Sequence, residues 1–292
     1  MILVLTGPTA SGKSKIAISL ARKLNGVVIN ADAFQVYQEL NIATAKPTPE
    51  ERAMVPHLLF DFVPLDHDYS VAEYQLDLRR TLQEVEKEGK VAIIAGGTGL
   101  YLRAGLYDYS FEEEPTKVDM SSYDSLSDQE LYDKLADIDP DAAKAIHPNN
   151  RIRVRRAIEI YLTTGKKKSD IEKEQRHEPL FDVRFFALEK ERAPLYQRVE
   201  QRVEEMFEEG LVEEDLALIQ KYGRTPHAFQ AIGVKELLPY LDGAKSLEEC
   251  KEDIKLATRH YVKRQETFFR HQFPVIWVKD EQDILNALSE SK

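Results

Sequence analysis

Short apolar runs alternate with amphipathic stretches through the first hundred residues of the chain. Residues 1–5, 27–29, 58–63 and 91–95 form the apolar runs, and the stretches between them carry apolar residues at helical spacing. The run at 91–95 is apolar on both faces, as a central strand of a parallel sheet must be. Strands that alternate with helices predict an α/β fold with a parallel sheet, in which ligands bind at the carboxyl ends of the strands.

A different pattern follows, in which capping residues and helical periodicity continue without a convincing strand. One helix there begins at Asn149 or Asn150 and ends at Gly165. Strands return at 184–188 and 275–278, with two long amphipathic helices between them. The sequence therefore predicts an α/β core over residues 1–110 and 185–292, interrupted by a mostly helical insertion domain over residues 111–184.

A glycine-rich segment, GPTASGKS at residues 7–14, joins the first predicted strand to the first predicted helix. This is the context of a P-loop, in which backbone N–H groups and the positive end of the helix face one anion. Lys13 can reach the outer phosphate, and Ser14 can ligate Mg²⁺. The sheet is therefore expected to be of the P-loop NTPase type, flanked by helices. The predicted diphosphate-binding residues are Gly7, Pro8, Thr9, Ala10, Ser11, Gly12, Lys13 and Ser14.

Two more candidate residues follow predicted strands. Asp32 could bind Mg²⁺ through water, hold a substrate hydroxyl or amine, or accept a proton, and its structural alternative is a helix N-cap. The strand at 91–95 ends in Gly96, Gly97 and Thr98, without the acid that ATP-hydrolysing P-loop proteins usually carry there. Motors, helicases and nucleotide switches are therefore disfavoured. The Thr98 hydroxyl could bind a phosphate oxygen.

Charge is unevenly distributed along this acidic chain. The net charge of −11 argues against indiscriminate nucleic-acid binding. Residues 144–168 nevertheless hold eight basic residues and one acid, whereas residues 108–139 hold eleven acids and two lysines. The first segment is either a surface for an anionic partner or an ordinary solvated face.

Four arginines of the basic segment begin a helix, where cations oppose the helix dipole, so local stability does not explain them. Their guanidinium groups suit phosphate recognition. Lys46, in a loop after Asp32, could also meet an anion. The four arginines are Arg151, Arg153, Arg155 and Arg156.

Other features limit the possible classes of protein. The one cysteine, Cys250, excludes an internal disulfide, and the seven histidines show no metal-ligand spacing. No apolar run has the length of a membrane span, and the start of the sequence lacks a signal-peptide pattern. We expect a cytoplasmic protein without a membrane partner.

The motifs in their order resemble the tRNA dimethylallyltransferases, also called tRNA isopentenyltransferases, over essentially the whole chain. Three positions depart from the usual family pattern, namely Ala33, Ala43 and Asn150, and none of them carries a catalytic assignment. The motifs are GPTASGKS at 7–14, DAFQVY at 32–37, TAKP at 44–47, GGTGLY at 96–101, IHPN at 146–149, Arg153, RAIE at 156–159, TG at 164–165, AIG at 231–233, KE at 235–236, TR at 258–259 and KRQ at 263–265.

The resemblance implies a reaction. A monomer using Mg²⁺ would transfer a dimethylallyl group from its diphosphate to N6 of the adenine 3′ to the anticodon, position 37, in tRNAs that read codons starting with U. Asp32, with an ordinary pKa of about 4, would accept the N6 proton, Thr98 would position the diphosphate, and Lys13 would stabilise it.

The resemblance also implies contacts with tRNA. Gln35 would hydrogen-bond the flipped adenine, and the basic side of a helix near 258–270 would be a second contact with the RNA backbone. The implied tRNA-binding residues are Asp32, Ala33, Phe34, Gln35, Lys46, Thr98, Ile152, Arg153, Val154, Arg155 and Arg156.

Three alternatives stay open at this point. A small-molecule kinase using ATP would explain the P-loop and Asp32 but not the basic helix. An isopentenyltransferase acting on free AMP or ADP would leave the arginines at 151–156 without a role. A nucleotide-switched RNA-binding protein without catalysis is disfavoured by the missing acid after residue 95.

Overall fold

The computed structural model describes residues 1–109, 111, 118–175 and 177–290. Its backbone divides into two compact units. Unit 1 comprises Met1–Leu106 and Pro179–Lys292, and unit 2 comprises Tyr107–Glu178. Strands and helices are numbered below in chain order.

Unit 1 is built on a parallel sheet of six strands in the order β3-β2-β4-β1-β5-β6. Strand β1 lies between β4 and β5, and its residues Leu3, Val4 and Leu5 are buried. The α/β prediction with a parallel sheet is confirmed. The strands are β1 (Ile2–Thr6), β2 (Gly26–Asn30), β3 (His57–Leu58), β4 (Val91–Ala95), β5 (Val183–Leu188) and β6 (Ile276–Val278).

The third strand differs from its prediction over 58–63, because it contains only His57–Leu58. Leu59 and Asp61 have φ angles of 60° and 58°, in the left-handed region, so the backbone cannot stay extended there. The apolar run instead becomes a loop at the edge of the sheet.

Helices of unit 1 flank this sheet. Helix α3 begins with the predicted capping box, in which Ser70 Oγ accepts from the Glu73 N–H and the Glu73 carboxylate accepts from the Ser70 N–H. Its buried residues include Tyr74, Leu78 and Leu82, which recur at helical spacing. The first four helices are α1 (Lys13–Lys23), α2 (Pro49–Met54), α3 (Val71–Lys87) and α4 (Gly99–Leu106).

The regular elements of unit 2 are all α-helices within its described residues. The Asn150 side chain accepts from the Arg153 N–H and caps α8, and Gly165 ends this helix with a φ of 72°. Leu131, Leu135 and Ile158 are among the residues of its core. The helices are α5 (Ser121–Asp124), α6 (Asp128–Ile138), α7 (Pro140–Ala145), α8 (Arg151–Thr164) and α9 (Lys168–Glu174).

The chain then completes unit 1 with mainly helical structure around β5 and β6. A short 3-10 helix spans His227–Gln230. Among the described residues, no helix has the length and apolar character that crossing a membrane requires. The helices are α10 (Arg192–Glu208), α11 (Leu211–Tyr222), α12 (Val234–Leu241), α13 (Leu247–Gln272) and α14 (Glu281–Ser289).

Candidate active site

A cavity of about 1090 Å³ lies at the carboxyl ends of β1, β2 and β4, within unit 1. It brings together the P-loop, Asp32, a loop that contains Lys46, and side chains of α10 and α13. Ligand binding at this edge is what the parallel sheet predicts. The residues that line the cavity include Thr9, Ala10, Ser11, Gly12, Lys13, Ser14, Asp32, Gln35, Lys46, Arg198, Arg202, Tyr261 and Gln265.

The P-loop connects the buried strand β1 to helix α1, as predicted. Gly7 has a φ of 132°, and a Cβ atom there would lie 3.1 Å from backbone atoms of Leu188, so a larger residue would be strained. The Lys13 Nζ donates to the carbonyl oxygens of Gly7 at 3.0 Å and Pro8 at 2.6 Å. Ser11 Oγ is buried without a hydrogen-bond partner in the described part of the chain. A buried hydroxyl without a partner in such a loop fits an anionic ligand.

Asp32 is half-buried at the end of β2, with its carboxyl enclosed by the protein, and its Oδ1 accepts from the Phe34 N–H at 2.9 Å. Burial raises the pKa of this carboxyl, while the N–H groups of Phe34 and Gln35 and the charges of Lys13 and Arg202 oppose the rise. The ordinary pKa expected for Asp32 is therefore wrong, because the sequence does not show how completely the carboxyl is desolvated. A raised pKa makes this carboxylate a stronger base.

Lys13 shares this environment. Burial lowers the pKa of its ammonium to about 7, although the charge of Asp32 favours the protonated form. The charge of Arg202 lowers the pKa of Lys13 further. Two cations and one carboxyl thus interact inside one cavity, a pattern of perturbed groups that is typical of functional sites.

Arg198 and Arg202 were not predicted from the sequence as residues of the site. Both lie on α10, one helical turn apart, and both line the cavity. Burial lowers the pKa of Arg202, and the charge of Asp32 opposes that shift. In the sequence, these two arginines lie beside the apolar stripe of α10. The exposed face of an ordinary surface helix has the same pattern, so the sequence did not mark them as residues of the site.

Thr98 is not among the residues that line the cavity, although Gly96 and Gly97, which precede it, are. Its Oγ1 accepts from the Ala33 N–H at 3.0 Å, and its own N–H donates to the Ala31 carbonyl oxygen at 3.0 Å. The Thr98 hydroxyl therefore contacts the backbone of Ala33, the residue that follows Asp32 in the chain.

Gln35 also lines the cavity. Its Nε2 donates to the carbonyl oxygens of Thr44 at 2.9 Å and Ala45 at 3.3 Å. Phe34 stacks on His227, with ring centroids 6.3 Å apart. The predicted cluster of Asp32, Ala33, Phe34 and Gln35 thus lies at one end of β2, beside the loop that carries Lys46.

Lys46 departs from its expected role. Its side chain is 2% exposed, and its Nζ donates to Asp61 Oδ1 at 2.6 Å and to the Tyr37 carbonyl oxygen. Because its ammonium already has an internal anionic partner, the predicted contact of Lys46 with tRNA is not supported. The residue instead fastens the loop that forms one wall of the cavity.

Arg151, the first residue of α8, is held by several partners within unit 2. Arg151 donates to the carbonyl oxygens of Tyr123, Asp124 and Leu126 and to the Asp128 carboxylate, so it fastens the preceding helices of unit 2. These contacts stabilise the local structure, so the expectation that local stability does not explain the arginines of α8 is wrong for Arg151.

The other predicted contacts on α8 also differ among themselves. Arg155 pairs with Asp124 at 3.1 Å and Arg156 with Glu159 at 3.0 Å. Val154 is fully buried in the core of unit 2, so the predicted RNA contact of its side chain is not supported. Ile152 is 83% exposed, and the exposed guanidinium of Arg153 has no partner in the described residues.

The basic side of α13 is mostly engaged within the protein. Arg259 pairs with Glu200 at 2.6 Å, Arg264 lies over the Tyr261 ring, and Arg270 lies over the Trp277 ring. Among these cations, only the exposed Lys263 has no partner in the part of the chain that is described. The sequence did not reveal that the other charges have internal partners.

Comparison with known proteins shows the family to which this chain is related. A model described as IPP transferase matches residues 35–272. A tRNA dimethylallyltransferase from Anoxybacillus flavithermus is 45% identical over 285 residues, which span 97% of this chain and 92% of the relative. One from Bacillus pumilus is 43% identical, with 94% of this chain and 88% of the relative covered.

Solved structures give the same result. A tRNA delta(2)-isopentenylpyrophosphate transferase from Staphylococcus epidermidis has a TM-score of 0.73 and 38% identity, covering 100% of this chain and 99% of that chain. A eukaryotic dimethylallyltransferase acting on tRNA has a TM-score of 0.82 and 32% identity, and the match covers 99% of this chain and 77% of that chain. The chain described here belongs to the IPP transferase family.

Proposed function

We propose that the protein transfers the dimethylallyl group of dimethylallyl diphosphate to N6 of adenine 37, beside the anticodon, in tRNAs that read codons starting with U. The observation that carries this proposal is that a P-loop and a buried carboxyl of raised pKa line one cavity. The names of the relatives supply the substrate class. The product would be N6-isopentenyladenosine in tRNA.

The P-loop end of the cavity would hold the diphosphate. When the allylic C–O bond breaks, negative charge develops on the leaving diphosphate, and the loop N–H groups, Lys13 and Arg202 would stabilise it. This chemistry needs no activated water, in agreement with the absence of an acid after Ala95.

Mg²⁺ fits the oxygen donors of this end. The Ser14 hydroxyl lines the cavity beside the P-loop, and Mg²⁺ accepts hydroxyl and phosphate oxygens while it keeps several waters. Ser14 would hold the ion together with the substrate diphosphate, and the ion would supply Lewis-acid stabilisation of the leaving group. No cluster of three or more His, Cys, Asp or Glu side chains suited to a metal occurs in the described residues, so the substrate would provide the remaining anionic ligands.

Asp32 would accept the N6 proton at the other end. The N6 amine becomes strongly acidic as the new C–N bond forms, so a buried carboxylate of raised pKa suffices as the base. The nearby charges of Lys13 and Arg202 favour its ionised form. The Gln35 amide would hydrogen-bond the edge of the adenine, which must leave its stack to reach the cavity.

Unit 2 would contact the tRNA backbone. Ile152 and Arg153 are exposed at the start of α8, and Arg153 retains a free guanidinium among the described residues. Arginine contacts with phosphates supply affinity and orientation rather than base specificity.

The proposal is tested with labelled dimethylallyl diphosphate, Mg²⁺ and unmodified tRNA, followed by digestion of the RNA. Label on adenosine 37 is expected, and a tRNA with guanosine at this position serves as the matched control. Parallel arms contain AMP or ADP as the acceptor, or ATP with labelled phosphate and small acceptors. Label on free AMP, or phosphate transfer without prenylation, would contradict the proposal.

A further inference from the structure

Gln265, the glutamine of the KRQ motif on α13, lies beside the cavity and has no chemical role in the proposed reaction. Gln265 is 4% exposed, and its side chain contacts two loops that are distant in sequence. Its Oε1 accepts from the Thr9 N–H in the P-loop at 2.9 Å, and its Nε2 donates to the Gly97 carbonyl oxygen at 3.3 Å. One carboxamide thus connects the P-loop to the turn that follows β4.

Helix α13 packs closely on this turn. A Cβ atom on Gly97 would lie 1.9 Å from Gln265 Nε2, and one on Gly99 would lie 2.0 Å from the Phe268 ring. These distances exclude any larger residue without a shift of the helix or the turn. The glycines of the GGTG motif therefore allow the carboxamide to reach the P-loop.

The contacts continue toward the proposed base. Thr98 follows Gly97 directly in the chain, and its Oγ1 accepts from the Ala33 N–H at 3.0 Å. Asp32 precedes Ala33 directly in the chain. A set of hydrogen bonds, joined by the peptide between Gly97 and Thr98, thus runs from Thr9, beside the diphosphate site, to the backbone beside the proposed base.

We propose that Gln265 is a positioning residue that fixes the separation between the P-loop and the backbone of Asp32. This inference rests on the proposed prenyl transfer. The neutral carboxamide of Gln265 supplies both an acceptor for the Thr9 N–H and a donor for the Gly97 carbonyl oxygen. Glutamate would keep the acceptor and lose the donor, and methionine would lose both.

Small errors in the placement of reacting groups reduce rates far more than they reduce binding. We therefore expect Gln265→Met to lower kcat for tRNA prenylation by on the order of 10- to 100-fold. The KM for dimethylallyl diphosphate should change by less than about threefold, because most diphosphate contacts of the P-loop remain. Gln265→Glu should also lower kcat, but with a higher KM, because it adds a negative charge beside the P-loop. Gln265→Leu should show the same split between kcat and KM as Gln265→Met, and it carries the test if the methionine variant does not fold.

Gln272→Met provides the matched control, because Gln272 lies on the same helix and is exposed. Its kcat should equal that of the unchanged protein. A double variant with Thr98→Val separates positioning from general destabilisation. If Gln265 acts through the set of hydrogen bonds, adding Thr98→Val to Gln265→Met should lower kcat much less than Thr98→Val does alone.

The result that would overturn the inference is an unchanged kcat for Gln265→Met and Gln265→Leu. Additive losses in the double variant would also overturn it, as would a large rise in KM with a normal kcat. Failure of the proposed function is distinguishable, because the unchanged protein would then transfer no prenyl group to tRNA. Normal transfer by that protein with normal variants removes only the role of Gln265.

Discussion

The ammonium of Lys13 interacts electrostatically with the buried carboxyl of Asp32, and each opposes the pKa shift that burial imposes on the other. Lys13 belongs to the P-loop and Asp32 to the end of β2, so the parallel sheet brings these charges together. In the proposed reaction the first stabilises the leaving group and the second removes a proton. Their opposite charges also reduce the cost of burying both groups.

The pKa of Lys13 predicts how diphosphate binding depends on pH. The ammonium loses its proton as the pH rises through about 7 in the ligand-free protein. We therefore expect the Kd for inorganic pyrophosphate to rise above pH 7, by at most about tenfold per pH unit for one linked proton. Calorimetric titration between pH 6 and 8.5 measures this dependence.

Lys13→Arg is the control for that titration, because a guanidinium stays protonated throughout this range. Pyrophosphate itself gains and loses protons, and the ratio of the two Kd values at each pH removes this contribution. A ratio that does not change with pH would show that Lys13 does not titrate near 7.

Asp32→Asn should separate chemistry from binding. The amide keeps the size of the side chain but cannot accept the N6 proton, so we expect kcat for prenylation to fall by about 10²- to 10⁴-fold. Pyrophosphate should bind at least as tightly, because a negative charge leaves the cavity. Single-turnover kinetics and calorimetry measure the two effects. Turnover near that of the unchanged protein would exclude Asp32 as the base.

Arg153 and Arg151 form a matched pair on α8. Arg153→Ala should weaken tRNA binding and reduce the slope of log K against log salt by about one, as for a lost phosphate contact. Filter binding at several salt concentrations measures the slope, and an unchanged slope would remove this contact from the proposal.

Arg151→Ala should act on stability instead. Its guanidinium donates to three carbonyl oxygens and to Asp128, so its loss leaves several acceptors without their donor. We expect the free energy of unfolding to fall by about 1–3 kcal/mol. Urea denaturation of both variants measures the difference, and equal stability would contradict this structural role.

Asp215 predicts a gain in stability. This residue of α11 is fully buried, and its carboxyl oxygens have no hydrogen-bond partner in the described part of the chain. Burial, with the charge of Glu214, raises the pKa of Asp215 from 3.8 to about 8. Between these pH values the unfolded chain has released a proton that the folded protein still holds. The free energy of unfolding therefore falls as the pH rises through this range.

Asp215→Leu removes this dependence and fills a similar volume with apolar atoms. We expect it to raise the free energy of unfolding at pH 7.5 by on the order of 1–3 kcal/mol, with a smaller gain at pH 5. Urea denaturation at both pH values measures the gain, and Glu213→Leu, at the exposed neighbouring position, is the control. An equal or lower stability at pH 7.5 would show that Asp215 has a favourable partner.

Several features of the protein followed from the sequence alone. The P-loop, the strands at 27–29 and 91–95, and the capping of α3 and α8 depend on residues close together in the chain. Local periodicity, capping and glycine content determine such elements. The position of Asp32 beside the P-loop also followed, because parallel strands present their carboxyl ends at one edge of the sheet.

Which polar side chains are available for ligands depends on how distant parts of the chain pack together. Lys46 and Arg151 proved to have internal partners, whereas Arg202 proved to line the cavity and Gln265 to be buried beside it. In the sequence, all four are polar residues within loops or helices. Burial and pairing depend on elements far apart in the chain, and the free energy of a charge or an amide depends chiefly on these surroundings.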